Sequence, residues 1–170
     1  MRKTMTAAFA LAATFGATGM TVSKMAVAAQ ADLRDAKSAR MGTAAITLQG
    51  GSMRLVVSAN GLPPGPHGLH IHATGKCDGP DFKTAGPHWN PGMKMHGRDN
   101  PMGAHKGDLP NLMVGADGRG SLSADLPGGL ADLLDADGAS IVVHAAADDY
   151  KTDPSGNSGA RIACGVFERR

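Results

Sequence analysis

The stretch Arg40–Asn60, RMGTAAITLQGGSMRLVVSAN, decides the fold. Two short, largely alternating runs meet at Gly50-Gly51, a pair that turns a chain tightly. This predicts an antiparallel hairpin with arms at Arg40–Gln49 and Ser52–Asn60. Working outward, comparable runs lie at Gln30–Asp35, His67–His72, Asn111–Ala116, Arg119–Leu126, Ser140–Ala145 and Arg161–Phe167. Turn chemistry separates them: Gly61 to Gly65 carries two prolines, and Asp117-Gly118 follows. Helical periodicity is almost absent. Eight short strands predict an all-β sandwich or eight-stranded antiparallel barrel. Beyond residue 29 the only aromatics are Phe82, Trp89, Tyr150 and Phe167, so the core must rest on Leu, Ile, Val, Ala and Met.

The first 29 residues read as a secretory signal. Arg2 and Lys3 form the positive start, Ala7 to Val22 is uncharged and mostly apolar, and Ala26-Val27-Ala28 offers small residues for cleavage, with Ala29 and Ala31 as alternatives. The apolar stretch is too short and too rich in Thr and Gly for a membrane span. Residues 30–170 then form one domain. The 170-residue chain has 17 Lys and Arg against 15 Asp and Glu, and without Arg2, Lys3 and Lys24 the count becomes 14 against 15. That balance makes no case for binding nucleic acid or an acidic membrane surface. The two cysteines, Cys77 and Cys164, are most simply a disulfide in an exported protein.

Two connections are long, Ala73 to Pro110 and Ala146 to Ala160, and need something to organise them. Histidine supplies a candidate. All seven histidines fall between His67 and His144. His70 and His72 are two apart on a predicted strand, so their imidazoles project to one side, about 7 Å apart at the backbone. His88, His96, His105 and Asp108 offer three nitrogens and a carboxylate oxygen, a donor set suited to zinc. His144 ends an apolar strand and gains interest only beside the other histidines. Three or four imidazoles without a thiolate suit copper.

These segments carry a resemblance. HGLHIH, AGPHWNP, MHG, HKGDLPN, SIVVHA and GNSGARIACGV, in this order, resemble the copper/zinc superoxide dismutases, over essentially the whole chain from Gln30 onward. The resemblance implies a Greek-key, immunoglobulin-like barrel with two functional loops. It implies one copper and one zinc per subunit. His70, His72, His88 and His144 would hold copper, and His88, His96, His105 and Asp108 would hold zinc, with His88 shared. His67 would support the strands without ligating. Arg161 would be the arginine beside copper, and Asp148 would bond a copper and a zinc histidine. The implied reaction turns superoxide into oxygen and hydrogen peroxide, with His88 carrying a proton between half-cycles.

The close spacing of His72 and Cys77 resembles exported bacterial members, which implies a periplasmic or secreted protein. The loop from His144 to Arg161 looks shorter than in eukaryotic members and keeps Lys151 as its only lysine. A homodimer is expected and a monomer stays open, since a sheet face can be buried or left wet. Met93, Met95 and Met102 flank His96. Their thioethers are soft enough for Cu(I), and methionine equally suits flexible packing or plain exposure. The rival is a copper- and zinc-binding or copper-delivery protein without turnover. A copper-only variant is disfavoured by His96, His105 and Asp108.

Overall fold

The computed structural model describes residues 26–170. The expected signal lies almost wholly outside the described residues. Ten strands form one antiparallel sheet: β1 Val27–Arg34, β2 Arg40–Gln49, β3 Ser52–Ala59, β4 Gly65–His67, β5 Leu69–His72, β6 Leu112–Val114, β7 Gly120–Leu126, β8 Ser140–His144, β9 Arg161–Val166 and β10 Glu168–Arg169. The order is β4-β6-β7-β3-β2-β1-β9-β8-β5, with β10 paired to β1. The step from β3 to β4 passes over β7 and β6, a Greek-key crossover.

The hairpin forms because its turn and its alternation agree. Gly50 and Gly51 both take positive φ, 55° and 90°, as a two-residue hairpin turn requires. The arms then register from Gln49 opposite Ser52 to Gly42 opposite Ala59. That register sends Ala44 and Ile46 inward beside Met53, Leu55 and Val57, all fully buried. With Ala29, Ala31 and Leu33 of β1, they fill one face of the core, and Leu69, Ile71, Ile141 and Val143 fill the other.

Ten strands replace the expected eight for two reasons. The run His67–His72 is two strands, because Gly68 breaks it. β4 pairs with β6 at one end of the sheet, and β5 pairs with β8 at the other. One short stretch of chain therefore crosses the seam and nearly closes the barrel. Gly68 is required there: a Cβ would lie 2.7 Å from the Ser158 side chain. Its amide donates to Ala146 O and its carbonyl accepts from His144. The second addition, β10, carries no sequence pattern, and Ala29 and Gln30 of β1 supply its pairing. A four-residue helix, Leu130–Leu133, is too short for periodicity to reveal. β1 begins three residues before the expected domain start, and its Ala29 is fully buried.

The edge of β5 is covered by the first long loop running back beside it. Trp89 N donates to Ile71 O, and Ile71 N donates to Gly107 O. This sets His88 opposite His72 and Asp108 opposite His70. A Cys77–Cys164 disulfide, spanning 87 residues, fastens the start of that loop to β9. Closing a loop of that length is worth roughly 4–5 kcal/mol through the entropy of the unfolded chain.

Candidate metal centre

β5, β8 and the two loops bring six of the seven histidines into one buried cluster. His70 and His72 come from β5, and His144 from the end of β8. All four residues of β5 are buried, since the barrel covers Leu69 and Ile71 and the loops cover His70 and His72. One nitrogen of each of His70, His72, His88 and His144 lies within 4.8 Å of the others. These nitrogens, His70 Nδ1, His72 Nε2, His88 Nε2 and His144 Nε2, are buried and have no hydrogen-bond partner. Such a group normally incurs a penalty of about 1–3 kcal/mol each. Four converging on one point form a cradle for a cation.

The opposite ring nitrogens explain which way the lone pairs face. His72 Nδ1 donates to Gly86 O at 2.9 Å, and His144 Nδ1 donates to Gly159 O at 3.2 Å. A carbonyl only accepts, so both protons sit on Nδ1 and both Nε2 lone pairs face inward. His70 Nε2 donates to Asp148 Oδ2 at 2.8 Å, which frees its Nδ1. Burial keeps these rings neutral. It lowers His72 to about 2, aided by the nearby His88, and lowers His144 to about 3, aided by His70. His88 falls to about 4, chiefly through burial, and His70 is also lowered by burial.

A second convergence lies on the other side of His88. Asp108 Oδ1 is 2.9 Å from His88 Nδ1, 3.1 Å from His96 Nδ1 and 3.2 Å from His105 Nδ1. His105 Nδ1 and His88 Nδ1 are 3.3 Å apart. Tetrahedral coordination at about 2.0 Å places its ligand atoms about 3.3 Å from one another. By mutual distance alone His70 also groups with His88, His96 and Asp108. Its Nε2 is engaged by Asp148 and its Nδ1 belongs to the first set, so His105 is the better fourth member.

Here charge, and not burial, prevails. Burial opposes a proton on His96, but its hydrogen bonds to the Asp108 and Asp148 carboxylates outweigh it and raise the ring to about 9. Asp108 is held well below the ordinary carboxylate value: burial opposes this, and contacts with His88 and His96 overcome it. Gly97 N and His105 N also donate to its Oδ2. A divalent ion at this point would take the place of those protons.

Asp148 links the two sets. Its Oδ2 accepts from His70 and its Oδ1 lies 3.0 Å from His96 Nε2. Asn111 fixes its backbone, accepting from Asp148 N and donating to Asp148 O, and Tyr150 N donates to its carboxylate Oδ1. Gly156 packs against this carboxylate with φ at 63°, and a Cβ there would collide with Asp148 Oδ1. Asp149, exposed, ties the loop by accepting from Thr152, Lys151 and Asn157. His67 bonds with Pro63 O and with His144 O across the seam, and its ring joins neither set.

Arg161 opens β9 beside the first set. Its guanidinium donates to Phe82 O at 2.7 Å and Gly86 O at 2.8 Å. Gly86 O also accepts from His72, so one carbonyl orients both. Arg161, His88 and His144 line a mouth of about 830 Å³ that opens to solvent. The carbonyls of Gly86 and Gly159 leave no signal in the sequence, because backbone acceptors belong to every residue type, and the partnerships of Asn111 and Tyr150 exist only in the folded chain.

Comparison with known proteins agrees with this geometry. The family model of copper/zinc superoxide dismutase matches residues 40–167. The superoxide dismutase-like protein YojM of Bacillus subtilis is 52% identical over 118 residues, covering 65% of this chain and 60% of its own length. The "Superoxide dismutase [Cu-Zn] 1" of Aquifex aeolicus is 39% identical over 147 residues, 81% of this chain and 86% of that one. The crystal structure of a SOD-like protein from Bacillus subtilis superposes with a TM-score of 0.77 at 42% identity, covering 81% of this chain and 96% of that one. The chain belongs to the copper/zinc superoxide dismutase family.

Proposed function

We propose that the protein dismutates superoxide to molecular oxygen and hydrogen peroxide. The four unpartnered imidazole nitrogens carry this reading, because they form a neutral, buried donor set beside a mouth open to solvent. His70 Nδ1, His72 Nε2, His88 Nε2 and His144 Nε2 would hold copper. His88 Nδ1, His96 Nδ1, His105 Nδ1 and Asp108 Oδ1 would hold zinc, and His88 would serve both. Bound copper supplies one-electron redox chemistry, and zinc supplies a fixed charge.

The residues around the copper set do the rest. Arg161, fixed by two carbonyls, presents its remaining N–H groups to an anion entering the mouth. His88 sits where it can hold a proton on Nε2, the atom that faces the copper set. Asp108 fixes the ring from the Nδ1 side, so Nε2 keeps its aim as the proton comes and goes. His67 braces the seam through His144 O and Pro63 O.

The chain would act after export, as a periplasmic or secreted protein, which suits its disulfide. Since Ala29 is buried in β1, cleavage at Ala26-Val27-Ala28 keeps that pairing, which moves the expected boundary by one residue; N-terminal sequencing of the exported protein reads this directly. A homodimer is proposed from the resemblance alone, and analytical ultracentrifugation measures it. Metal quantification with a superoxide-consumption assay on one sample tests the function. One copper and one zinc per chain with turnover supports it. Full metal content without turnover would favour the binding-protein rival.

A further inference from the structure

The methionines of the first loop are not packing residues. Met93, Met95 and Met102 are 91%, 41% and 68% exposed. Their exposure is built in, because the backbone beneath them is held. Asn90 Oδ1 accepts from Lys94 N, and Asn90 Nδ2 donates to Lys94 O. Asn100 Oδ1 accepts from Met102 N, and Asn100 Nδ2 donates to His96 O. Met95 N donates to Met102 O at 3.1 Å, which sets two of the three methionines side by side. Met93 lies two residues earlier, with positive φ at 48°.

The same loop forms a wall of the mouth above the histidines. Asn90, Pro91 and Lys94 line it together with His88 and His144, which carry two of the orphan nitrogens. Asp132, Asp135, Asp137 and Asp153 also line it, against Lys94 and Arg161. These carboxylates attract an incoming metal cation, while Arg161 serves the anion. Thioethers are neutral and soft, so they hold Cu(I) without holding zinc.

We propose that Met93, Met95 and Met102 form a Cu(I)-capture site on the loop that lends Asn90, Pro91 and Lys94 to this mouth, from which copper passes to the imidazole set. The transfer is a ligand exchange: copper–sulfur bonds break, copper–nitrogen bonds form, and no electron or proton changes hands. Capture stands on the loop alone, while delivery rests on the copper set proposed above.

The test uses the zinc-loaded full chain, titrated anaerobically with Cu(I) buffered by a competing chelator. The expected result is one tightly held equivalent and a second, weaker one with copper–sulfur scattering in X-ray absorption. Met93→Leu/Met95→Leu/Met102→Leu should lose the second equivalent and fill the first severalfold more slowly at limiting copper, with unchanged activity once filled. Met113→Leu, exposed on β6 away from the loop, should change nothing. A triple variant that binds as much copper, with the same scattering, overturns the capture site. Sulfur-bound copper with an unchanged filling rate overturns delivery. Normal filling without dismutation would count against the proposed function and leave capture standing.

Discussion

The two sides of His88 are built on opposite electrostatic plans. On one side burial dominates: His72 and His144 are lowered to about 2 and 3, and their N–H groups are spent on backbone carbonyls. The result is a set of neutral lone pairs. On the other side a carboxylate dominates: Asp108 Oδ1 gathers three ring nitrogens, and His96 is raised to about 9. A neutral nitrogen set suits an ion whose charge changes by one, since it favours neither state by a fixed counter-charge. An anionic set suits an ion of constant double charge. Asp148 holds a hydrogen bond to each side, so the two plans share a hinge of their own apart from His88.

The largest expected effect comes from removing the residue both sides share. His88→Ala should strip zinc, weaken copper and abolish turnover, while far-ultraviolet circular dichroism keeps its sheet signal. Full occupancy of both metals in that variant would break the comparison at its centre. Asp108→Asn acts chiefly on one side, reaching the other only through the His88 ring it holds. It should cut zinc affinity by more than about 100-fold, beyond the 10–100-fold typical of a group that merely orients a ligand, and leave copper bound. Equal losses of both metals, read by mass spectrometry of the dialysed protein, would show that the sides are not separable. Asp148→Asn should fall within that 10–100-fold range for both metals.

Arg161→Ala touches neither set. Superoxide dismutases work near the diffusional ceiling of about 10⁸–10⁹ M⁻¹s⁻¹, where attraction of the substrate limits the rate. The variant should lose on the order of tenfold in rate, with a weaker salt dependence and unchanged metal content. Identical rates at every ionic strength would remove Arg161 from anion capture.

A further effect is in the stability of the metal-free protein. Above pH 6.5 the rings of His72, His88 and His144 are neutral in both folded and unfolded chains. Below it the unfolded chain takes up protons that the folded one refuses, so stability falls by about 1.4 kcal/mol per pH unit for each ring. The fall levels off near pH 4 for His88 and near 3 and 2 for His144 and His72. His96 runs the other way: its proton stabilises the folded chain below pH 6.5, and that gain is lost as pH rises through about 9. Urea unfolding of chelator-treated protein between pH 4 and 9 should therefore weaken toward both ends. A flat profile would contradict the opposed plans.

How much of this was legible in the sequence depended on whether side chains or backbone carried the information. The β2–β3 hairpin was legible because Gly50-Gly51 and the alternation beside it specify the same turn and register. The seam at Gly68 was not, since a single glycine does not by itself end a strand and only the pairing partners divide HGLHIH. β10 was missed because Glu168 and Arg169 have no pattern of their own. In the site, imidazoles and carboxylates announce themselves by residue type and spacing. The carbonyls that set the tautomers of His72 and His144, from Gly86 and Gly159, do not. Nor does Asn111, whose partnership with Asp148 spans 37 residues and exists only once the barrel closes.

One measurement bears most directly on His88 as the join between the two sides: diffraction from the metal-loaded protein at the copper and zinc absorption edges, which locates each ion separately. An imidazole bound through both nitrogens at about 2.0 Å sets the ions about 6 Å apart, with His88 between them. A separation beyond about 8 Å, or both ions on one side of the His88 ring, would contradict the shared ligand.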